Sequence, residues 1–131
     1  MVLNDSTPNL MVRNVRQTVD FYTTILGFKL VGAVPESGND LVFAIVQSGN
    51  VMFMFQEENS LKEEYPQLAK FPQGGGLTFY IHVSDIHGLY EKLNEKVTIA
   101  KEMHETFYGS TDFAIEDCNG YILTFSQENT K

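Results

Sequence analysis

A chain of 131 residues with 43% hydrophobic side chains has the size and apolar content of one compact domain, and is too apolar for wholesale disorder. Nine basic against seventeen acidic residues give a net charge of −8, which argues against nucleic-acid binding and favours a cationic guest wherever the acid lines a cleft. No apolar run approaches the ~20 residues that span a bilayer, Met1 to Leu10 lacks the pattern of a signal peptide, and the lone cysteine forms no internal disulfide, so a cytoplasmic protein that avoids membranes is expected.

Residues 8–13 suit a short strand. Asn14 then caps a helix, with Gln17 three residues on as in a capping box. Val15, Val19, Tyr22 and Leu26 recur at helical spacing, and Gly27 is the expected stop. Strands are expected at about 28–34, 40–47 and 51–56, the last two joined by the turn Ser48-Gly49-Asn50. Residues 57–76 read as a linker with a solvated acidic stretch, Glu57, Glu58, Glu63 and Glu64, and one helical turn around Leu61–Leu68. It ends in Gly74-Gly75-Gly76, which no Gly-Lys-Ser/Thr follows, so it is not a phosphate-binding loop.

The pattern then restarts. Residues 77–83 form a strand, Ser84 or Asp85 caps a helix, and Ile86, Leu89, Tyr90 and Leu93 make its apolar stripe. Strands at about 97–104, 110–116 and 121–127 follow, the last pair joined by Asp117-Cys118-Asn119-Gly120, a hairpin signal in which asparagine and glycine tolerate positive φ. Phe43-Ala44-Ile45 recurs seventy residues later as Phe113-Ala114-Ile115, and Phe55 meets Phe125 at the same offset. The chain therefore reads as an internal duplication of a strand–helix–three-strand unit. The expected fold class is α+β, two tandem βαβββ modules forming a curved mixed sheet around a cleft. One domain covers residues 1–131, with module one at about 8–56, the linker at 57–76 and module two at about 77–127.

Strand alternation assigns two faces. Leu10, Val12, Val51, Phe53, Phe55, Leu77, Phe79, Ile81, Val83, Tyr121, Leu123 and Phe125 are large and apolar, as a helix-covered face must be. The opposite parity carries Thr7, Asn9, Met11, Arg13, Met52, Met54, Gln56, Thr78, Tyr80, His82, Ile122, Thr124 and Ser126. That mixture of thioethers, aromatics, hydroxyls and amides is the usual lining of a small-molecule pocket rather than a plain solvent face or a wet dimer interface. The candidate ligand contacts are Asn9, Met11, Met54, Thr78, Tyr80 and Thr124 on strands, with Phe43, Phe107 and Tyr108 as stacking groups at the rim. A bulge would reverse the parity of Phe43.

Other chemistry is poorly supported. His82, His87 and His104 have no spacing that sets two imidazoles on one helix face, although His82 shares the pocket parity. Cys118 lies beside Asp117, which raises a thiol pKa, and Ser110 belongs to no recognisable triad.

Val12-Arg13-Asn14-Val15, Phe21-Tyr22 and Leu26-Gly27-Phe28 in the first half, with Val83-Ser84-Asp85-Ile86, Tyr108-Gly109 and Asp117-Cys118-Asn119-Gly120 in the second, together resemble the vicinal oxygen chelate superfamily, the glyoxalase, bleomycin-resistance and dioxygenase group. The resemblance spans about residues 8–127 and implies paired βαβββ modules. By the same resemblance, the positions that hold metal in metal-dependent members are Thr7, Met54, Thr78 and Thr124 here. Three hydroxyls and a thioether make poor ligands for zinc, iron or nickel, and lack the carboxylate that magnesium and manganese sites normally include. The resemblance then points to the metal-free, drug-binding branch: a homodimer without cofactor that sequesters a cationic or aromatic compound, such as an antibiotic, in a cleft lined by aromatics and acidic charge. Tyr108 replaces the usual tryptophan and offers a smaller stacking face. The rival expectation is a lyase, isomerase or dioxygenase of the same superfamily that recruits metal through unexpected ligands. A third is a regulatory or accessory partner with a degenerate pocket.

Overall fold

A computed structural model describes residues 1–36 and 38–130, which fall into two compact units, one ending at Gln73 and the other beginning at Gly74. The first unit contains β1 (Asn9–Val12), α1 (Val15–Thr24), β2 (Lys29–Val34), β3 (Phe43–Ser48) and β4 (Val51–Glu57). After β4 come α2 (Glu58–Glu64) and a 3-10 helix over Pro66–Lys70. The second unit contains β5 (Thr78–His82), α3 (Ile86–Leu93), β6 (Thr98–Glu105), β7 (Ser110–Glu116) and β8 (Ile122–Glu128). Each unit forms a four-stranded mixed sheet, ordered β1-β4-β3-β2 in one and β5-β8-β7-β6 in the other, with the first strand parallel to its neighbour and the remaining pairs antiparallel. The fold is α+β, with the βαβββ order repeated.

The helix starts are local chemistry. Asn14 is extended, and its side-chain oxygen accepts the Gln17 amide at 2.9 Å. Asp85, rather than Ser84, accepts the Gly88 amide at 3.1 Å. Each cap satisfies one of the amides that a helix start leaves without a partner. Asn14→Ala and Asp85→Ala should each cost about 1 kcal/mol, read as a lower urea midpoint at unchanged slope.

The apolar faces meet the helices as alternation requires. In the first unit Leu10, Val12, Ala44, Val46, Phe53 and Phe55 are buried together with Val15, Val19 and Tyr22 of α1. Tyr22 is the hub, its ring centroid 4.8 Å from Phe55, 5.4 Å from Phe28 and 5.8 Å from Phe53. In the second unit Ile86 and Leu93 of α3 are buried with Phe113, Ile115, Tyr121, Leu123 and Phe125. The β5 residues of this face are less covered than expected: Phe79, Ile81 and Val83 are half-buried, and Leu77, just outside the strand, is exposed.

Three expectations need correction. The segment after β4 is more ordered than a connector, since Glu57 caps α2 by accepting the Ser60 amide and Glu58 lies 3.9 Å from both Arg13 and Lys62, whereas Glu63 and Glu64 are exposed as expected. Gly74 belongs to the second unit, with φ +80°, and an added Cβ would lie 2.7 Å from the Asn119 carbonyl oxygen. That contact explains a glycine there better than a linker does.

The third concerns the repeat. Phe43 lies opposite Gln56, whereas Phe113 lies opposite Phe125. The shared letters Phe-Ala-Ile are thus one residue out of structural register, and in a strand one residue reverses the face. The hairpin loops account for the shift. Ser48 pairs with Val51, leaving the two-residue loop Gly49-Asn50. The second hairpin keeps Asp117 bonded to Tyr121, leaving the three-residue loop Cys118-Asn119-Gly120 with positive φ at Gly120 alone. With β4 and β8 aligned through Phe55 and Phe125, the structural counterpart of Phe43 is Asp112.

Candidate functional site

In the first unit the face away from α1 carries Asn9, Met11, Met52, Met54, Gln56, Phe43 and Ile45, which alternate in register across β1, β4 and β3. Phe43 therefore keeps the parity that put it among the candidates. The Asn9 amide donates to the Gln56 carbonyl at 2.9 Å, and Gln56 in turn donates to Ser60 at 3.0 Å and Glu64 at 3.1 Å. Met11 is 7% exposed and offers little free surface, whereas Met54 and Phe43 are half-buried. Thr7 lies before β1, its hydroxyl 4.0 Å from the Met52 sulfur.

In the second unit the corresponding face carries Thr78, Tyr80 and His82 on β5, Thr124 and Ser126 on β8, and Ser110, Asp112 and Ala114 on β7. His104 of β6 lies opposite Asp112. Thr78, Tyr80 and His82 are exposed and Thr124 is half-buried, while Asp112 is 2% exposed and Ser126 1%. Hydroxyls surround the carboxylate. Ser110 donates to Oδ1 at 2.8 Å, and Tyr80 and Tyr108 donate to Oδ2 at 3.1 and 3.4 Å. The Ser126 hydroxyl is 2.7 Å from the Tyr80 oxygen.

Burial is the largest single influence on the Asp112 pKa and pushes it up. The hydrogen bonds from Ser126, Ser110 and Tyr80, with the charge of His104, together outweigh it and hold the carboxyl below its ordinary value. Tyr108 is moved the other way: its bond with Tyr80, then desolvation and the nearby charge of Asp112, keep its phenol protonated above the usual range. Asp112 is thus an anion at neutral pH, surrounded by neutral donors. Among the described residues, no lysine or arginine forms an ion pair with it.

Phe107 and Tyr108 sit in the turn between β6 and β7. Thr106 and Ser110 bracket that turn through a backbone bond of 2.8 Å and paired hydroxyls 2.9 Å apart. Phe107 is 99% exposed and meets Tyr108 edge-on at 4.9 Å. The turn thus displays two aromatic rings, of which Tyr108 reaches the buried carboxylate.

Within the second unit, then, Tyr80, Thr124 and Tyr108 gather around Asp112 or on its face, with Thr78 further along β5 and Phe107 against Tyr108 in the turn. Asn9, Met54 and Phe43 share a face of the first unit. Asp112 itself escaped the sequence reading, as did the joint part played by Ser110 and Ser126 around it. Alternation carried into β7 from Phe113 would have found them, because Phe113 opposite Phe125 puts Ser110, Asp112 and Ala114 on the other face. Clefts in these units open about 280 Å³ beside Lys29, Val31 and Gln47, and about 200 Å³ beside Ile86, His87 and Gln127. Neither includes a sequence-predicted contact.

Residues 6–125 match the model of the Glyoxalase/Bleomycin resistance protein/Dioxygenase superfamily, and the chain belongs to that superfamily. No curated protein matches it. Among solved structures, it is similar to a glyoxalase/bleomycin resistance protein/dioxygenase from Nocardioides, with TM-score 0.76, 19% identity, and coverage of 98% of this chain and 87% of that one. A superfamily member from Sphaerobacter thermophilus DSM 20745 gives TM-score 0.74 at 20% identity, covering 96% of this chain and 98% of that one. The bleomycin-binding protein of bleomycin-producing Streptomyces verticillus, complexed with copper(II)-bleomycin, gives TM-score 0.64 at 19% identity, covering 100% and 99%.

The residues that the resemblance sets at the family's metal positions do not fit a divalent ion. Thr7 and Met54 in one unit, and Thr78 and Thr124 in the other, bring neither carboxylate nor imidazole. Among the described residues, no three His, Cys, Asp or Glu side chains gather as a ligand set. Also among them, no helix is long and apolar enough to cross a membrane.

Proposed function

We propose that this chain binds a small cationic or aromatic organic molecule, recognised without a resident metal, and that it acts by sequestration as a cytoplasmic homodimer. Asp112 carries the proposal. A carboxylate 2% exposed yet held ionised is costly to bury, and such groups are kept where charge has work to do on a ligand. Tyr80 and Tyr108, 47% and 59% exposed, flank it with ring surface, and Phe107 extends that surface. Thr78 and Thr124 add hydroxyl contacts on the same sheet, and Asn9, Met54 and Phe43, backed by the buried Met11, form a second, softer contact face. The bleomycin-binding neighbour supports the reading at the level of fold. The ladders end at β1 and β2 in one sheet and β5 and β6 in the other, edges of the kind that pair between copies. Light scattering at a single-chain mass across concentrations would remove the dimer.

Thermal shift and calorimetry against a panel of hydrophobic cations and neutral aromatics test the binding. At least one cation should raise the melting temperature saturably, and Asp112→Asn should weaken that cation about tenfold or more, equivalent to about 1.4 kcal/mol. A flat panel would sink the proposal. So would stoichiometric zinc, iron, nickel or manganese in protein purified without chelator, which would favour a metal-using enzyme.

A further inference from the structure

Three hydroxyls already address the lone pairs of Asp112, and that narrows the guest. An ionised carboxylate offers about four acceptor sites. Ser110 takes a place on Oδ1 at 2.8 Å, and Tyr80 and Tyr108 address Oδ2 at 3.1 and 3.4 Å. A guanidinium binds carboxylates through paired N–H donors, and a primary ammonium also needs acceptors, so either must displace these hydroxyls. A methylated ammonium has no N–H to place. It needs only a negative field and aromatic faces.

The rings around Asp112 supply such faces. Tyr80 and His82 meet at 5.3 Å with planes 83° apart, and Phe107 and Tyr108 meet at 4.9 Å with planes 86° apart. Each pair makes a right-angled corner, and the hydroxyls of Tyr80 and Tyr108 both point to the one carboxylate. Donating to an anion also enriches both rings in electrons, which strengthens their attraction for a cation. We infer that the Tyr80–Asp112–Tyr108 face selects a quaternary, N-methylated ammonium group over a guanidinium or a primary ammonium. This rests on the small-molecule reading above and adds the chemical class of the guest.

The test titrates the full chain, at constant ionic strength, with tetramethylammonium, butylammonium, methylguanidinium and choline, and with 3,3-dimethylbutanol as the neutral isostere of choline. Ring resonances of Tyr80 and Tyr108 are followed by NMR. Tetramethylammonium and choline should shift both rings saturably, with butylammonium, methylguanidinium and the neutral alcohol at least fivefold weaker. Tyr108→Leu, at an exposed position, should weaken tetramethylammonium about fivefold without moving the urea midpoint. Tyr80→Phe keeps the ring but frees one acceptor site on Asp112 and removes the hydroxyl that enriches the ring, so it should strengthen butylammonium relative to tetramethylammonium. Equal binding of choline and its neutral isostere, or tighter binding of methylguanidinium, overturns the inference while leaving a small-molecule binder in place. Silence from every probe, together with the flat panel described above, removes both.

Discussion

Phe113→Ala should cost about 3–5 kcal/mol of folding stability, and Phe43→Ala about 1 kcal/mol or less, although the two phenylalanines open the same three-residue word. Phe113 is fully buried, with its ring centroid 5.3 Å from Phe125 and 5.1 Å from Tyr90. Truncation there removes the transfer free energy of the ring and leaves a cavity that α3 and the sheet fill only in part. Phe43 is half-buried on the opposite face of its own sheet, beside Gln56. Its loss opens no comparable void. Urea unfolding followed by far-UV circular dichroism reads both variants, and equal losses would refute the one-residue register shift. Phe55→Ala belongs with Phe113→Ala, because Phe55 is fully buried and in ring contact with Tyr22.

That contrast shows where the sequence can be read and where it cannot. Caps and turns are local, so Asn14, Asp85 and the two hairpins could be placed from a few residues each. The faces of β1, β4 and β8 followed from alternation, because one side of each strand is covered by a helix and the other is not. Register between strands is not local. It depends on whether a hairpin loop holds two residues or three, and the words Ser48-Gly49-Asn50 and Asp117-Cys118-Asn119-Gly120 do not state that number. The repeated letters Phe-Ala-Ile then invited an alignment that the ladders break, and Asp112 stayed hidden beside a phenylalanine taken for the counterpart of Phe43.

The acidic segment after β4 was half legible, for a different reason. Glu63 and Glu64 are exposed, as solvated charge requires, but helix α2 forms because Glu57 caps it, Leu61 is buried, and Lys62 and Arg13 lie near Glu58. Tertiary contacts there outweigh the composition of the segment. On the site itself, the parity that marked Tyr80 and Thr124 was readable from strand alternation. The hydroxyl network was not, since it joins residues far apart in the chain, such as Tyr80 and Ser126.

Asp112→Ala should destabilise the protein by about 1–3 kcal/mol at neutral pH, the range for leaving buried polar partners unsatisfied. Asp112→Asn should cost less, because the amide carbonyl still accepts a hydrogen bond while the charge-assisted part is lost. The pH dependence separates this group from the other acids. Its folded pKa lies below the unfolded value of about 3.9, so the stability contributed by the anion is fully present above roughly pH 4 and is lost as pH falls through the folded pKa. Other carboxylates also protonate in that window, which makes the difference between wild type and Asp112→Asn the useful quantity. That difference should be constant from pH 7 to about pH 5 and shrink in stronger acid, measured by urea midpoints across the series. Guest affinity should follow the same course, since the cation loses its counter-charge only when Asp112 takes up a proton. A difference that grew with acid would mean that Asp112 is more easily protonated in the folded chain than in the unfolded one. The carboxylate would then be a buried acid tolerated by the fold, and no anchor for a cation.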